Sequence, residues 1–100
     1  MSIAMNIITI TFAHQLAKSP KYTFGDRVAI TSNCEPKEWA TGKITGLRLD
    51  DYSASIWNYT VNLDYPQGYC EECSEEDLVA ENELPARQQE WEETRSWDAV

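Results

Sequence analysis

The chain has 100 residues, of which 42% are hydrophobic and 25% are charged, and its formal net charge is −9. This length predicts one domain with a small core. No apolar run approaches about 20 residues, which argues against a membrane-spanning helix. A net negative surface repels phosphate backbones, which argues against direct nucleic-acid binding.

The whole negative excess lies in the last third of the sequence. Residues 1–65 carry six acidic and six basic residues, whereas residues 66–100 carry eleven acidic and two basic residues. Such a distribution is typical of a solvated surface. If the charge has a role in binding, it favours a basic protein partner.

Residues 1–19 are a β-prone N-terminal extension. The stretch IITITF at residues 7–12 is rich in β-branched residues, as strands are, and outside the core it would leave an exposed edge. We expect it to add a strand to the main fold or to pair with a second copy in a homodimer. No basic residue precedes Lys18, unlike in a secretory leader, and an odd number of cysteines fits a reducing compartment, so we expect a cytoplasmic protein.

Residues 20–84 contain five predicted strands. The first lies around Val28 and Ile30. The second, at residues 42–50, needs a bulge at Thr45-Gly46 to place its apolar residues on one face. Those apolar residues are Ile44, Leu47 and Leu49.

The third strand, at residues 56–65, has the clearest alternation in the chain. One face is apolar and predicted to be buried, and the other is polar and predicted to be wet. The apolar face consists of Trp57, Tyr59, Val61 and Leu63. A turn with Pro early and Gly late, at residues 65–68, then predicts a hairpin whose partner strand runs over residues 69–73.

The rest of the chain becomes polar and acidic. Ser74-Glu75-Glu76-Asp77 predicts one short helical turn capped by the serine, and residues 78–80 predict a last short strand. Residues 85–100 predict an acidic tail or a marginal helix, because helix propensity is present but the apolar stripe is thin.

This order of elements resembles an SH3-like small β-barrel, and in particular small uncharacterised bacterial proteins of this pattern, cyanobacterial ones among them. The resemblance is carried by FGDRVAI (24–30), Trp39, GKITGLRL (42–49), IWNYTVNL (56–63) and EEDLV (75–79). It implies an all-β, five-stranded bent barrel with an extra N-terminal strand. SH3-like barrels include peptide binders, nucleic-acid readers and accessory subunits of electron-transfer complexes, so the fold by itself selects no function.

The resemblance also implies a binding groove. In SH3-like barrels the loop between the first two long strands often faces the loop after the next strand, which would bring Trp39 and Tyr52 near Tyr22 or Tyr65. Aromatic groups flanked by acids suit a Pro-rich or cationic peptide. The predicted partner-binding residues are Trp39, Tyr52, Glu35, Glu38 and Asp51. The alternative is that Trp39 closes one end of the barrel as part of the core.

The CEEC stretch is predicted to be a strand rather than a metal or redox site. Cys70 and Cys73 are three residues apart, so in a strand their thiols point to opposite faces, whereas zinc needs three or four converging ligands. Cys34 and His14 are the remaining candidates, and neither is in a paired motif. The nearby glutamates disfavour a reactive thiolate. We expect one cysteine of the pair in the core and the other in solvent, with no metal or cofactor.

The sequence therefore predicts a protein that is not an enzyme. The sequence has one histidine and no Gly-rich phosphate loop, so it shows no recognisable catalytic motif. The favoured function is an acidic SH3-like protein-interaction module or accessory subunit. Two alternatives are a Cys-dependent metal or redox protein using Cys34, Cys70 and Cys73, and an acidic nucleic-acid mimic that inhibits a DNA-binding protein.

Overall fold

The chain folds into one antiparallel sheet followed by a C-terminal helix. The computed structural model describes residues 17–53 and 55–98. The strands are β1 (Arg27–Ile30), β2 (Thr41–Leu49), β3 (Trp57–Leu63), β4 (Cys70–Ser74) and β5 (Leu78–Ala80), and the helix is α1 (Leu84–Asp98). Short 3₁₀ turns occupy Pro36–Glu38, Glu75–Asp77 and Glu81–Glu83, and the second of these is called the acidic turn below.

The five strands form a sheet in the order β4-β3-β2-β1-β5, and every neighbouring pair is antiparallel. The prediction of five antiparallel strands is thus confirmed. The predicted closure into a barrel is not found, because β4 and β5 are the two edges of the sheet and do not pair with each other. β5 has only three residues, and it pairs with β1.

The bulge predicted in β2 is present. The register between β2 and β3 shifts between Ile44 and Gly46, and this shift places three apolar residues of β2 on the same side of the sheet. Ile44 is buried, and Leu47 and Leu49 pack against the core. The extra residue therefore bends the strand over the core, as bulges generally do.

β3 lies at the centre of the core. Trp57, Tyr59, Val61 and Leu63 are all buried, and the intervening residues face solvent in whole or in part, which confirms the predicted faces. Burial of each large apolar side chain stabilises the fold by roughly 1.5–3 kcal/mol. The other core residues are Tyr22, Val28, Ile44, Cys73 and Leu78.

The segment that precedes β1 is attached to this core. The indole N–H of Trp57 donates to the carbonyl of Lys18 at 2.6 Å, and the ring of Tyr22 meets that of Tyr59 edge to face at 5.4 Å. The described end of the predicted extension thus packs on the core of the sheet. The predicted strand at residues 7–12 and His14 lie outside the described residues.

The C-terminal segment is a helix of 15 residues. Of the two predictions for this segment, a tail or a marginal helix, the helix is therefore confirmed. Pro85 lies in its first turn, where a proline costs no hydrogen bond. Polar contacts hold the helix to the loop before β2, because the side-chain oxygen of Gln88 accepts from the Lys37 backbone at 3.0 Å and its nitrogen donates to Glu35 at 2.6 Å.

Candidate interaction surface

The structure does not bring Trp39 and Tyr52 together in one groove. Trp39 precedes the first residue of β2 and Tyr52 follows the last, so the two aromatic residues lie at opposite ends of a nine-residue strand. The Thr41 hydroxyl bonds to Asp64 at 2.6 Å, so Trp39 lies at the same end of the sheet as Tyr65. Two loops that the resemblance places face to face are therefore separated.

The loop that carries Trp39 folds back on itself instead of reaching along β2. The Trp39 indole N–H lies 3.1 Å from the carbonyl oxygen of Ser32 and 3.0 Å from that of Cys34, and its side chain is half-buried. Trp39 is also absent from the main core cluster. Trp39 therefore braces its own loop and does not belong to the main core, and its predicted role in partner binding stays a prediction.

Glu35 and Glu38 belong to the same loop but have different environments. Glu35 accepts a hydrogen bond from Gln88 of α1 and pairs with Lys37 at 3.3 Å. These contacts, that from Gln88 first, hold the pKa of Glu35 below its usual value. Glu38 is exposed. At this end of the sheet Glu35 thus helps to dock the helix, whereas Glu38 stays in solvent.

The loop that carries Tyr52 exposes several of its described side chains. The backbone of Asp50 donates to the carbonyl of Ile56 at 2.9 Å and closes the loop, while the Tyr52 backbone donates to the Asp50 carboxylate at 3.0 Å. Tyr52 is 97% exposed and Ile56 is 45% exposed. Asp51, 4.0 Å from Arg48, is also exposed.

A small pocket of about 160 Å³ lies between this loop and the acidic turn, lined by Ser55, Ile56, Ser74, Glu75 and Glu76. We call the pocket together with Tyr52 the loop–turn surface. Of the predicted site residues, Tyr52 belongs to this surface and Asp51 flanks it. The sequence does not single out Ile56 and Glu76 as site residues. The alternating pattern assigns Ile56 to a strand, and the capping pattern assigns Glu76 to a short helical turn.

The acidic turn is fixed in place from the core side. The Tyr59 hydroxyl donates to Glu75 at 2.7 Å and accepts the backbone N–H groups of Lys21 and Tyr22 at 3.0 and 3.2 Å. Burial, and after it the hydrogen bond to Glu75, raises the pKa of Tyr59 to about 12. Glu76 is exposed and makes no hydrogen bond or ion pair with the described residues. Glu75 is therefore a structural anchor, while Glu76 is available to a partner.

The two cysteines of β4 face opposite sides of the sheet, as predicted. Cys73 pairs with Tyr59 and is buried, whereas Cys70 is exposed. Burial, followed by the charge of Glu71, raises the pKa of the Cys73 thiol. Cys34 is half-buried in the loop before β2. Among residues 17–53 and 55–98, no group of three or more His, Cys, Asp or Glu side chains could hold a metal ion.

Two wider clefts flank α1, and a charged group in each already contacts a neighbouring side chain. One, of about 440 Å³, includes Arg27 and Glu81, which bond to each other at 2.6 Å. The other, of about 570 Å³, includes Trp91 and Arg95, whose guanidinium lies 5.5 Å from the indole centroid. The loop–turn surface is smaller, but within the described part of the chain its Tyr52 ring and its Glu76 carboxylate make no hydrogen bond, ion pair or ring contact.

Comparison with known proteins found no matching protein family, curated protein or solved structure. The described part of the chain contains no helix that is long and apolar enough to cross a membrane.

Proposed function

We propose that this protein is a cytoplasmic, SH3-like protein-interaction module or accessory subunit, and that its loop–turn surface binds a partner protein. The observation that carries the proposal is the 97% exposure of Tyr52 in the loop that also contributes the exposed Ile56 to a pocket. Tyrosine is enriched among the residues that dominate binding energy at protein interfaces. The SH3-like assignment is supported by the strand order and by the 3₁₀ turn between β4 and β5.

The partner segment is basic or Pro-rich. Asp51 precedes Tyr52 in the chain, Glu76 lines the pocket, and both carboxylates are exposed. The full chain carries a net charge of −9. A cation is attracted both to carboxylates and to the face of a tyrosine ring, and Pro-rich segments also dock on aromatic side chains. The same charge repels nucleic acid, so a protein is the favoured partner.

The test compares two exposed tyrosines at opposite ends of the sheet. Tyr52→Ala removes the ring of the loop–turn surface, and Tyr65→Ala, at a residue 85% exposed in the β3–β4 turn, is the matched control. Each protein is used to capture partners from an extract of the native host, and the recovered proteins are quantified by mass spectrometry. We expect Tyr52→Ala to lose a partner by about tenfold or more, while Tyr65→Ala retains it.

Equal recovery by both variants and the parent would overturn the proposal. Recovery of a DNA-binding protein that DNA displaces would favour the acidic-mimic alternative instead. Stoichiometric zinc or iron in protein purified without added metal would favour the Cys-dependent alternative.

A further inference from the structure

β4 has a free backbone edge in the described part of the chain. It lies at one end of the strand order, with β3 on its only paired side. The Leu63 backbone donates to Tyr69 at 2.9 Å, and hydrogen-bonded pairs alternate along an antiparallel ladder. Cys70 and Glu72 therefore direct their N–H and C=O groups away from β3, and Ser74 directs its N–H the same way while its carbonyl caps the acidic turn. These groups leave a template for another strand.

The side chains of this edge combine apolar surface with an unpaired charge. On the core-facing side, Tyr69 is 64% exposed and Cys73 is buried, and Glu71 lies between them, opposite Val61. Glu71 is exposed and makes no hydrogen bond or ion pair with the described residues. On the outer side, Glu72 is already paired with Arg48. Because the sheet is open here, the first half of this face is uncovered.

We infer that β4 is the strand to which an extended partner segment adds by β-augmentation, and that this segment carries a Lys or Arg opposite Glu71 between two apolar residues. The inference rests on the proposed function, since it names the form in which the partner binds. Backbone hydrogen bonds supply affinity in this mode and alternate side chains supply specificity. β4 ends at Ser74, which lines the loop–turn pocket together with Ile56, so a strand on this edge leads to that pocket.

Charge complementarity selects this occupant over two others. A second copy of β4 laid antiparallel on the first would bring Glu71 and Glu72 of both copies together, and like charges on neighbouring strands are destabilising. The chain's own IITITF stretch contains no basic residue that could neutralise Glu71. A basic segment of another protein avoids the repulsion between like charges and supplies a cation for Glu71.

The test uses a defined peptide and the full-length chain. The probe is Val-Thr-Lys-Thr-Val with blocked ends, and its control is the same peptide with Glu in place of Lys. Backbone amide NMR signals are followed during titration. We expect the lysine peptide to shift the amides of Cys70, Glu72 and Ser74 in a saturable manner, with no shift in the other edge strand, β5. We expect the glutamate peptide to bind about tenfold more weakly or worse.

Two substitutions separate backbone pairing from charge. Glu72→Pro removes an outward N–H but no bond to β3, a position at which edge strands tolerate proline, and Glu72→Gln is its control because it removes only the ion pair with Arg48. We expect the proline variant to lose peptide binding and the glutamine variant to keep it. If the proline variant does not fold, Glu71→Lys tests the charge contact instead. This variant should bind the glutamate peptide more tightly than the lysine peptide.

Four results would overturn the inference. They are the absence of shifts at the three amides, equal binding of the two peptides, shifts that depend on protein concentration without peptide, and binding that requires prior removal of residues 1–16. The third would identify a second copy as the occupant, and the fourth would identify the chain's own N-terminal segment. If partner capture still depends on Tyr52 in any of these cases, the proposed function stands and only the strand geometry is wrong.

Discussion

A cluster of polar side chains on the outer face of the sheet ties together strands that are distant in sequence. Arg27 of β1 forms a bidentate pair with Asp64, just after β3, and also bonds to Glu81 after β5. Thr41 of β2 donates its hydroxyl to the same Asp64. Arg27, and after it Thr41, holds the pKa of Asp64 well below its usual range. One carboxylate thus links β1, β2 and β3.

This arrangement predicts a pH-dependent stability. A carboxylate whose folded-state pKa is depressed stabilises the fold above its unfolded pKa of about 4, and that stabilisation is lost as the pH falls below this value. We expect Asp64→Asn to lower the free energy of unfolding at pH 7 by no more than about 1 kcal/mol, since the pair is 40–45% exposed and screened by water. Urea unfolding at neutral and at acidic pH measures this, and the difference between variant and parent should shrink in acid.

The control is Asp51→Asn, whose carboxylate is more exposed and lies 4.0 Å from its nearest cation. It should leave stability unchanged at both pH values. The stabilising role of Asp64 would be contradicted if Asp64→Asn and the parent were equally stable at pH 7. It would also be contradicted if their difference in unfolding free energy grew in acid.

The cysteines give a second prediction for single residues. Cys70 is exposed, whereas Cys73 is buried and its thiol has a raised pKa, and only the thiolate reacts with alkylating reagents. We expect iodoacetamide to modify Cys70 in the native protein and Cys73 only after unfolding, as located by peptide mass spectrometry. Equal rates at the two positions in native protein would mean that β4 does not hold its register.

At the level of the strands, Gly42 is the glycine whose position leaves the least room for a side chain. A side-chain Cβ at this position would lie 2.5 Å from the backbone oxygen of Asn62 and 2.7 Å from a Val61 methyl carbon. Both neighbours belong to β3, which holds the core, and neither has room to move. Gly42 is therefore required by packing between β2 and β3 and not by an unusual backbone angle.

Gly42→Ala should destabilise the protein by about 1–3 kcal/mol, the usual cost of forcing extra volume into a packed core. Thermal or urea unfolding measures the loss. Lys43→Ala, at the exposed neighbouring position of β2, should change stability by less than about 0.5 kcal/mol. A Gly42→Ala protein as stable as the Lys43→Ala protein would show that β2 and β3 are less close than described.

For the whole molecule, the open edge and the N-terminal segment raise the question of self-association. We predict that residues 7–12 add a strand or form a homodimer contact. Deletion should stop at residue 16, because Lys18 accepts the Trp57 indole hydrogen bond and its loss would disturb the core. If the segment joins two copies, deletion of residues 1–16 lowers the apparent mass in light scattering. An unchanged mass would exclude a dimer formed by this segment.

Local patterns predicted the elements and their faces well. The alternation from Trp57 to Leu63 predicted the buried face of β3, and the three-residue spacing between Ile44 and Leu47 predicted the bulge in β2. Both patterns follow from the two-residue period of a strand. The three-residue spacing of Cys70 and Cys73 predicted their separation for the same reason.

The placement of the site could be predicted only in part. The sequence predicts Tyr52 as a binding residue because it is an aromatic residue in an acidic loop. Its predicted partner in the groove, Trp39, lies at the other end of β2, where it braces its own loop. The predicted groove required the loop with Trp39 to extend toward the loop with Tyr52. Hydrogen bonds within the Trp39 loop determine how far it extends, and residue spacing in the sequence does not predict those bonds.

The sequence by itself determined the five strands of residues 20–84, their order along the chain, the buried faces of β2 and β3 and the acidic character of the last third, because these follow from side-chain period and charge. Only the tertiary structure decided that the sheet stays open between β4 and β5, that α1 docks through Gln88, and that Glu71 remains exposed at a free edge. These features depend on which distant residues meet in space, and no local pattern specifies that.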